Sequence, residues 1–171
     1  MNRTALERFE DGLRCILPLL ITAGFVILFA LPTGLPDFFA VKPMVALAAI
    51  YYWAIYRPDL LPYTVSFAIG LLYDVLVGTP LGLTSLVLLP LHAVAVSQRR
   101  FFVKKSFLVG WWGFAMLAPP AIVLNWLLAS TYFGRFTTIQ PMLFQTLLTI
   151  ASYPLFAWLF GQVERLLPRN A

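Results

Sequence analysis

The chain has 171 residues, 61% of them hydrophobic and 11% charged, where a soluble domain carries roughly 45–50% and about 25%. A soluble fold of this size has too little polar surface for that composition, which excludes an ordinary aqueous enzyme. The twelve Lys and Arg behind the net charge of +5 are dispersed rather than massed in one patch, which excludes a nucleic-acid footprint. The composition is that of a polytopic membrane protein.

A hydrocarbon core of ~30 Å asks for about 20 apolar residues per helix. Six helices would use roughly 120 residues and leave about fifty for loops, too few for a separate soluble domain. Residues 1–171 therefore read as a single integral membrane domain. The N-terminal Thr4-Ala5-Leu6-Glu7 has the form of a capping box. Leu6, Phe9 and Leu13 share a helical face, with Arg3, Arg8 and Arg14 nearby. This pattern fits a short amphipathic helix on the cytoplasmic membrane surface, and it fits a frayed polar tail equally well. From Cys15 to Pro36 the chain is free of charge for 22 residues, with no small-residue cleavage pattern at its end. It is expected as a retained span rather than a signal peptide.

The expected spans are residues 15–32, 40–56, 60–78, 80–98, 107–129 and 141–163. The second is short, with Lys42 at the interface. Their apolar runs are too continuous for barrel strands, so they are helices, all-α throughout. Only Gly78-Thr79-Pro80 separates the third from the fourth. Without a tight turn there, Leu60 to Gln98 would form one helix of 39 residues, about twice the bilayer thickness. Six spans put both termini on one side. Arg3, Arg8, Arg14, Arg57, Arg99, Arg100, Lys104, Lys105, Arg165 and Arg169 then face the cytoplasm, and only Lys42 and Arg135 face outward. Ten against two is the positive-inside bias. The Arg99-Arg100 and Lys104-Lys105 loop anchors the inner side and is placed to touch anionic membrane lipids.

Asp74 is the only acid within an expected span, four residues from the outer end of the third. A carboxylate in that setting is a functional candidate. It pins the outer turn to a neighbouring helix, contacts a partner or ligand, or relays protons. Ser66, Gly70, Asp74 and Gly78 recur every four residues, a slowly winding small-residue face that packs inside the bundle or against another chain. In the fifth span, Pro119-Pro120 removes the donors to the carbonyls of Ala115 and Met116; in the sixth, Pro154 does the same to Ile150. Gln145, Thr149 and Ser152 share a face of the sixth span, where they would re-satisfy freed carbonyls or line a polar groove. His92 reads as a packed, neutral histidine. One cysteine, Cys15, excludes an internal disulfide and a Cys-rich metal site, and one histidine argues against zinc. No cofactor or metal is implied, and no hydrolase, zincin or P-loop motif occurs, so no catalytic residue is assigned.

The middle of the chain carries a more specific pattern. Arg57-Pro58, then Gly70-x-x-x-Asp74, then Gly78-x-Pro80-Leu81-Gly82-Leu83 resembles the MreD family of rod-shape-determining proteins. The motif likeness covers about residues 50–100, and the layout the whole chain. The resemblance implies a non-catalytic scaffold in the bacterial inner membrane, within the machinery of lateral cell-wall elongation, helping to regulate peptidoglycan synthesis and rod shape. It implies partnership with MreC, a protein with one membrane helix. Through MreC it implies contact with a class B penicillin-binding transpeptidase, the RodA glycosyltransferase and MreB filaments. It also implies a fold similar to the substrate-binding subunits of energy-coupling-factor transporters.

On this reading the partner- or structure-forming residues are Arg57, Pro58, Ser66, Gly70, Asp74, Gly78, Pro80 and Gly82. Arg57 would fix the inner end of the third span. Gly70 and Gly78 would permit close approach of the partner's helix, and Asp74 would fasten the outer turn. The rival reading is a small-molecule-binding membrane subunit of a vitamin-type transporter, with Asp74, Asn125 and Gln145 as its polar groups. A membrane enzyme ranks last.

Overall fold

The computed structural model describes residues 19–29, 42–102, 105–135 and 138–166. The expected N-terminal surface helix, Cys15, Lys104 and Arg169 lie outside the described residues. Six α-helices occupy the six expected stretches: α1 (Leu19–Phe29), α2 (Val45–Tyr56), α3 (Tyr63–Val77), α4 (Leu83–Phe102), α5 (Phe107–Phe133) and α6 (Ile139–Leu166). A 3₁₀ turn, Pro58–Leu60, joins α2 to α3. No strand occurs among the described residues. Two stretches, Phe107–Phe133 and Ile139–Arg165, are each long and apolar enough to cross a bilayer.

Helix α2 is the axis of the bundle. Its sequence is apolar on every side, the pattern of a helix with no solvent face, and every residue from Val45 to Ile55 is buried. Helices α3, α4, α5 and α6 pack around it. From α1, Thr22 accepts a hydrogen bond from the Trp53 indole at 3.1 Å. Ala46, Ala48, Ala49 and Ala54 lie among its buried residues, and their small side chains let several neighbours approach at once. Twelve residues give about 18 Å of helix, so both ends stop inside the bundle and need partners. At one end the Met44 N–H donates to Thr149 Oγ1 at 3.0 Å, and the Gln145 amide donates to the Lys42 carbonyl at 3.3 Å. At the other, Arg99 Nε donates to the Ile55 carbonyl at 3.0 Å.

Aromatic rings fill the remaining core. Phe25 and Phe29 of α1 meet Phe160 and Phe156 of α6 edge-on at 5.5 and 5.2 Å. Phe114 of α5 stacks on Tyr153 of α6 at 4.3 Å. The perimeter is apolar as well: Leu20, Phe67, Val75, Leu86, Trp112, Met116, Leu147, Leu155 and Trp158 all point outward. Large apolar side chains on the outside and polar ones on the inside, hydrogen-bonded apart from Ser130 and Tyr153, describe a protein solvated by lipid.

Candidate functional site

The α3–α4 hairpin gathers most of the residues singled out above. Helix α3 ends at Gly78, whose φ of 77° lies in the left-handed region and lets the chain turn out of the helix without a Cβ penalty. The Asp74 carbonyl accepts from the N–H groups of Gly78 and Thr79 at 2.9 and 3.0 Å. Pro80 and Gly82 complete the turn: the Leu83 N–H donates to the Pro80 carbonyl at 3.1 Å, and Gly82 has φ 93°. Helix α4 then begins at Leu83 with N–H groups that no helical carbonyl can satisfy.

The Asp74 side chain takes up two of the donors at this end, those of Gly82 and Thr84. Its carboxylate, 0% exposed, accepts from Thr79 Oγ1 at 2.8 Å and from the Gly82 N–H at 2.9 Å. The Thr84 N–H reaches both carboxylate oxygens, at 3.1 and 3.2 Å. One acid thus closes the C-terminus of α3 with its backbone and caps the N-terminus of α4 with its side chain. The helix dipole of α4 and the charge-assisted bonds offset the cost of burying the charge. Asn125 of α5 extends the cluster, with Nδ2 3.5 Å from Thr84 Oγ1.

The small residues of α3 face α4. An added Cβ on Gly70 would stand 2.6 Å from Ser85 Cα and 2.7 Å from its backbone N, so the two helices touch there backbone to backbone. Ser85 Oγ donates to the Phe67 carbonyl at 2.9 Å. One turn further from Asp74, buried Ser66 Oγ and His92 Nδ1 are 2.6 Å apart, and Tyr63 stacks on the imidazole at 4.4 Å. Ser66, Gly70 and Asp74 are therefore occupied within the chain. Gly78 terminates α3, and an added Cβ there would meet nothing of this chain within 4 Å.

Arg57 stands at the entry to α3, where its carbonyl accepts from the Leu60 N–H at 3.0 Å, and it also reaches α6. Its backbone N–H closes α2 by donating to the Trp53 carbonyl at 2.9 Å, and its guanidinium lies 3.8 Å from Glu164 Oε1 of α6. Tyr52 OH donates to the other Glu164 oxygen at 3.0 Å. The arginine joins α2 to α6, and Pro58 opens the 3₁₀ turn that follows.

The proline break in α6 is repaired from an unexpected direction. The Ile150 carbonyl, freed by Pro154, accepts from Trp111 Nε1 of α5 at 3.0 Å. Gln145, Thr149 and Ser152 do not serve it. Gln145 and Thr149 hold the start of α2, and Ser152 Oγ donates to the Thr149 carbonyl at 3.1 Å. Trp111, Thr84 and Glu164 carry no role in the sequence pattern, nor does Pro90, which lies inside α4, and Arg99 adds to its place in the inner loop a bond to the Ile55 carbonyl. Pro90 and Trp111 had readable signals: a proline within an apolar helix, and an indole donor inside a span.

Chemically, the arrangement binds helices to each other. Among the described residues, no three His, Cys, Asp or Glu side chains converge to hold a metal ion. Asp74 and Asn125 share Thr84, while Gln145 is spent on the α2 entry. The family model of the rod shape-determining protein MreD matches residues 12–165. The chain belongs to the MreD family. No curated protein and no solved structure matches the chain. MreD is a family of shape determination, and membership agrees with the apolar perimeter and the two bilayer-length helices: this is a membrane protein with a role in rod shape.

Proposed function

We propose that this MreD-family protein is a non-catalytic scaffold of the cell-wall elongation complex. It binds the single membrane helix of MreC and, directly or through MreC, bears on the class B transpeptidase, RodA and MreB, helping to regulate peptidoglycan synthesis. Its six helices form one domain crossing the bacterial inner membrane six times, with both termini in the cytoplasm. The family match over residues 12–165 carries this reading. Two structural features support it. The buried polar groups of α3 and α4 are engaged in bonds that fix the bundle, which suits a rigid platform. The ten-to-two distribution of Lys and Arg supports the orientation.

The test is affinity purification of the tagged chain from native membranes. An MreC-like single-span protein is expected to co-purify. Its absence from detergent and nanodisc preparations alike would refute the scaffold role. For orientation, a membrane-impermeant thiol reagent applied to intact cells is expected to label Arg135→Cys and spare Lys105→Cys. A rise in melting temperature on adding vitamins, with no co-purifying partner, would favour the transporter-subunit alternative.

A further inference from the structure

The small-residue face of α3 is consumed by α4, so an incoming helix must use another surface. We propose that the outward face of α4 and α5, at the level of Pro90 and Pro120, receives a partner's transmembrane helix that carries a hydrogen-bond donor in its middle. This rests on the scaffold reading and names its contact face.

Proline has no N–H, so Pro90 and Pro120 deprive the carbonyls of Leu86 and Met116 of their helical donors. Both breaks face outward. Leu86, Pro90, Met116 and Pro120 are exposed, and Met116, at 77%, is the most exposed of the large apolar side chains described. The two prolines also lie at similar depth. Asn125 meets Thr84 on one side of them, and Gly113 faces Phe102 on the other, so in the antiparallel pair Pro120 falls opposite the turn of α4 that holds Pro90.

Hydrocarbon offers no donor to such a carbonyl. At the half-buried break of Pro154, between α5 and α6, the chain itself supplies Trp111 as donor. The two outward breaks present partial negative charge to the membrane, and their complement is an N–H or O–H on a neighbouring helix. Ser97, the nearest exposed hydroxyl downstream on α4, donates to its own Val94 carbonyl at 2.8 Å. A lipid tail fills the space without bonding, whereas a helix bearing Ser, Thr, Asn or Trp at that depth does both.

The test uses the full chain co-expressed with its partner in a Cys15→Ser background. Single substitutions Leu86→Cys, Ala93→Cys and Met116→Cys, labelled with a photoactivatable thiol reagent, are expected to form adducts with the single-span protein. Leu147→Cys and Leu155→Cys on α6, and Phe67→Cys on α3, are expected to form none. Adducts centred on α6 or α3 with co-purification intact would overturn this face and leave the scaffold reading standing. Adducts to a second copy of the chain, or to lipid only, would also overturn it. Loss of every co-purifying single-span protein would sink both readings.

A second measurement removes the acceptors instead. Pro90→Ala and Pro120→Ala restore the donors to Leu86 and Met116. Each is expected to lower recovery of the partner about threefold, the typical worth of one interhelical hydrogen bond in a membrane. The melting temperature of the isolated chain should hold or rise. Unchanged recovery would mean that the prolines only bend the helices.

Discussion

Asp74 does two jobs that one substitution can separate. Asp74→Asn keeps an oxygen acceptor but loses the charge and one of two equivalent oxygens, so it should cost about 1–2 kcal/mol of stability. Asp74→Leu leaves the buried Thr84 N–H without an acceptor, at about 1–3 kcal/mol, and strips the half-buried Gly82 N–H of its partner as well. The melting temperature in detergent should therefore fall in the order wild type, Asn, Leu. Any loss of complex assembly in the Leu variant follows from a loosened hairpin rather than from a lost partner contact. A leucine variant as stable as wild type would show that Asp74 is not the cap of α4. Gly70 is tested on the same hairpin. A Cβ there meets the backbone of Ser85 rather than a flexible side chain, so Gly70→Ala must push α3 and α4 apart, with an expected cost of about 1–3 kcal/mol. Gly24, where an added Cβ meets nothing within 4 Å, is the neutral control.

Helices α5 and α6 show how a broken helix is kept intact by its neighbour. Trp111→Phe preserves the ring in the core but strips the Ile150 carbonyl of its donor, which should cost about 1–3 kcal/mol. Pro154→Ala returns a backbone N–H to the same carbonyl, and in that background Trp111→Phe should cost much less. The coupling is read from thermal denaturation of the two single variants and the double variant. Equal losses in both backgrounds would mean that the indole matters only as bulk. The same elements mark what a sequence can disclose. The hairpin around Asp74 was legible because its partners, Thr79, Gly82 and Thr84, lie within ten residues, and Gly-Thr-Pro between two apolar runs leaves the chain little choice but to turn. The six helices were legible from hydropathy and from charges at their ends. The partner of Pro154 was not, because Trp111 lies 39 residues from the carbonyl it serves. The side-chain partner of Arg57 was hidden for the same reason: its guanidinium reaches Glu164, which only the packing of α6 beside α2 brings near. The capping of α2 by Gln145 and Thr149 spans more than a hundred residues and has no local signature at all.

At the scale of the whole molecule, burial and polarity follow the logic of a lipid solvent. A short apolar helix fills the axis, hydrogen bonds lie between helices, and bulky apolar side chains form the outer wall. This arrangement makes opposite demands on the wall from those of a soluble bundle. In water, replacing an outward leucine with lysine is neutral or improves solubility. In a bilayer, a cation near mid-span costs about 2.5–3.5 kcal/mol on insertion scales. Leu155 is exposed on α6, some 16 residues from the helix start at Ile139, which is about 24 Å along it. Gln162 is exposed on the same helix, close to the Glu164–Arg57 pair at its C-terminal end. Leu155→Lys is expected to reduce the carbonate-resistant membrane fraction and the yield of folded chain. Gln162→Lys should leave both unchanged, because a lysine at that level reaches the interface. If Leu155→Lys were tolerated as readily as Gln162→Lys, α6 would not face hydrocarbon, and the outer wall would have to be an interface with protein or water. The graded response along one helix face thus measures depth directly, one position in the apolar outer wall against one near the end of the same helix.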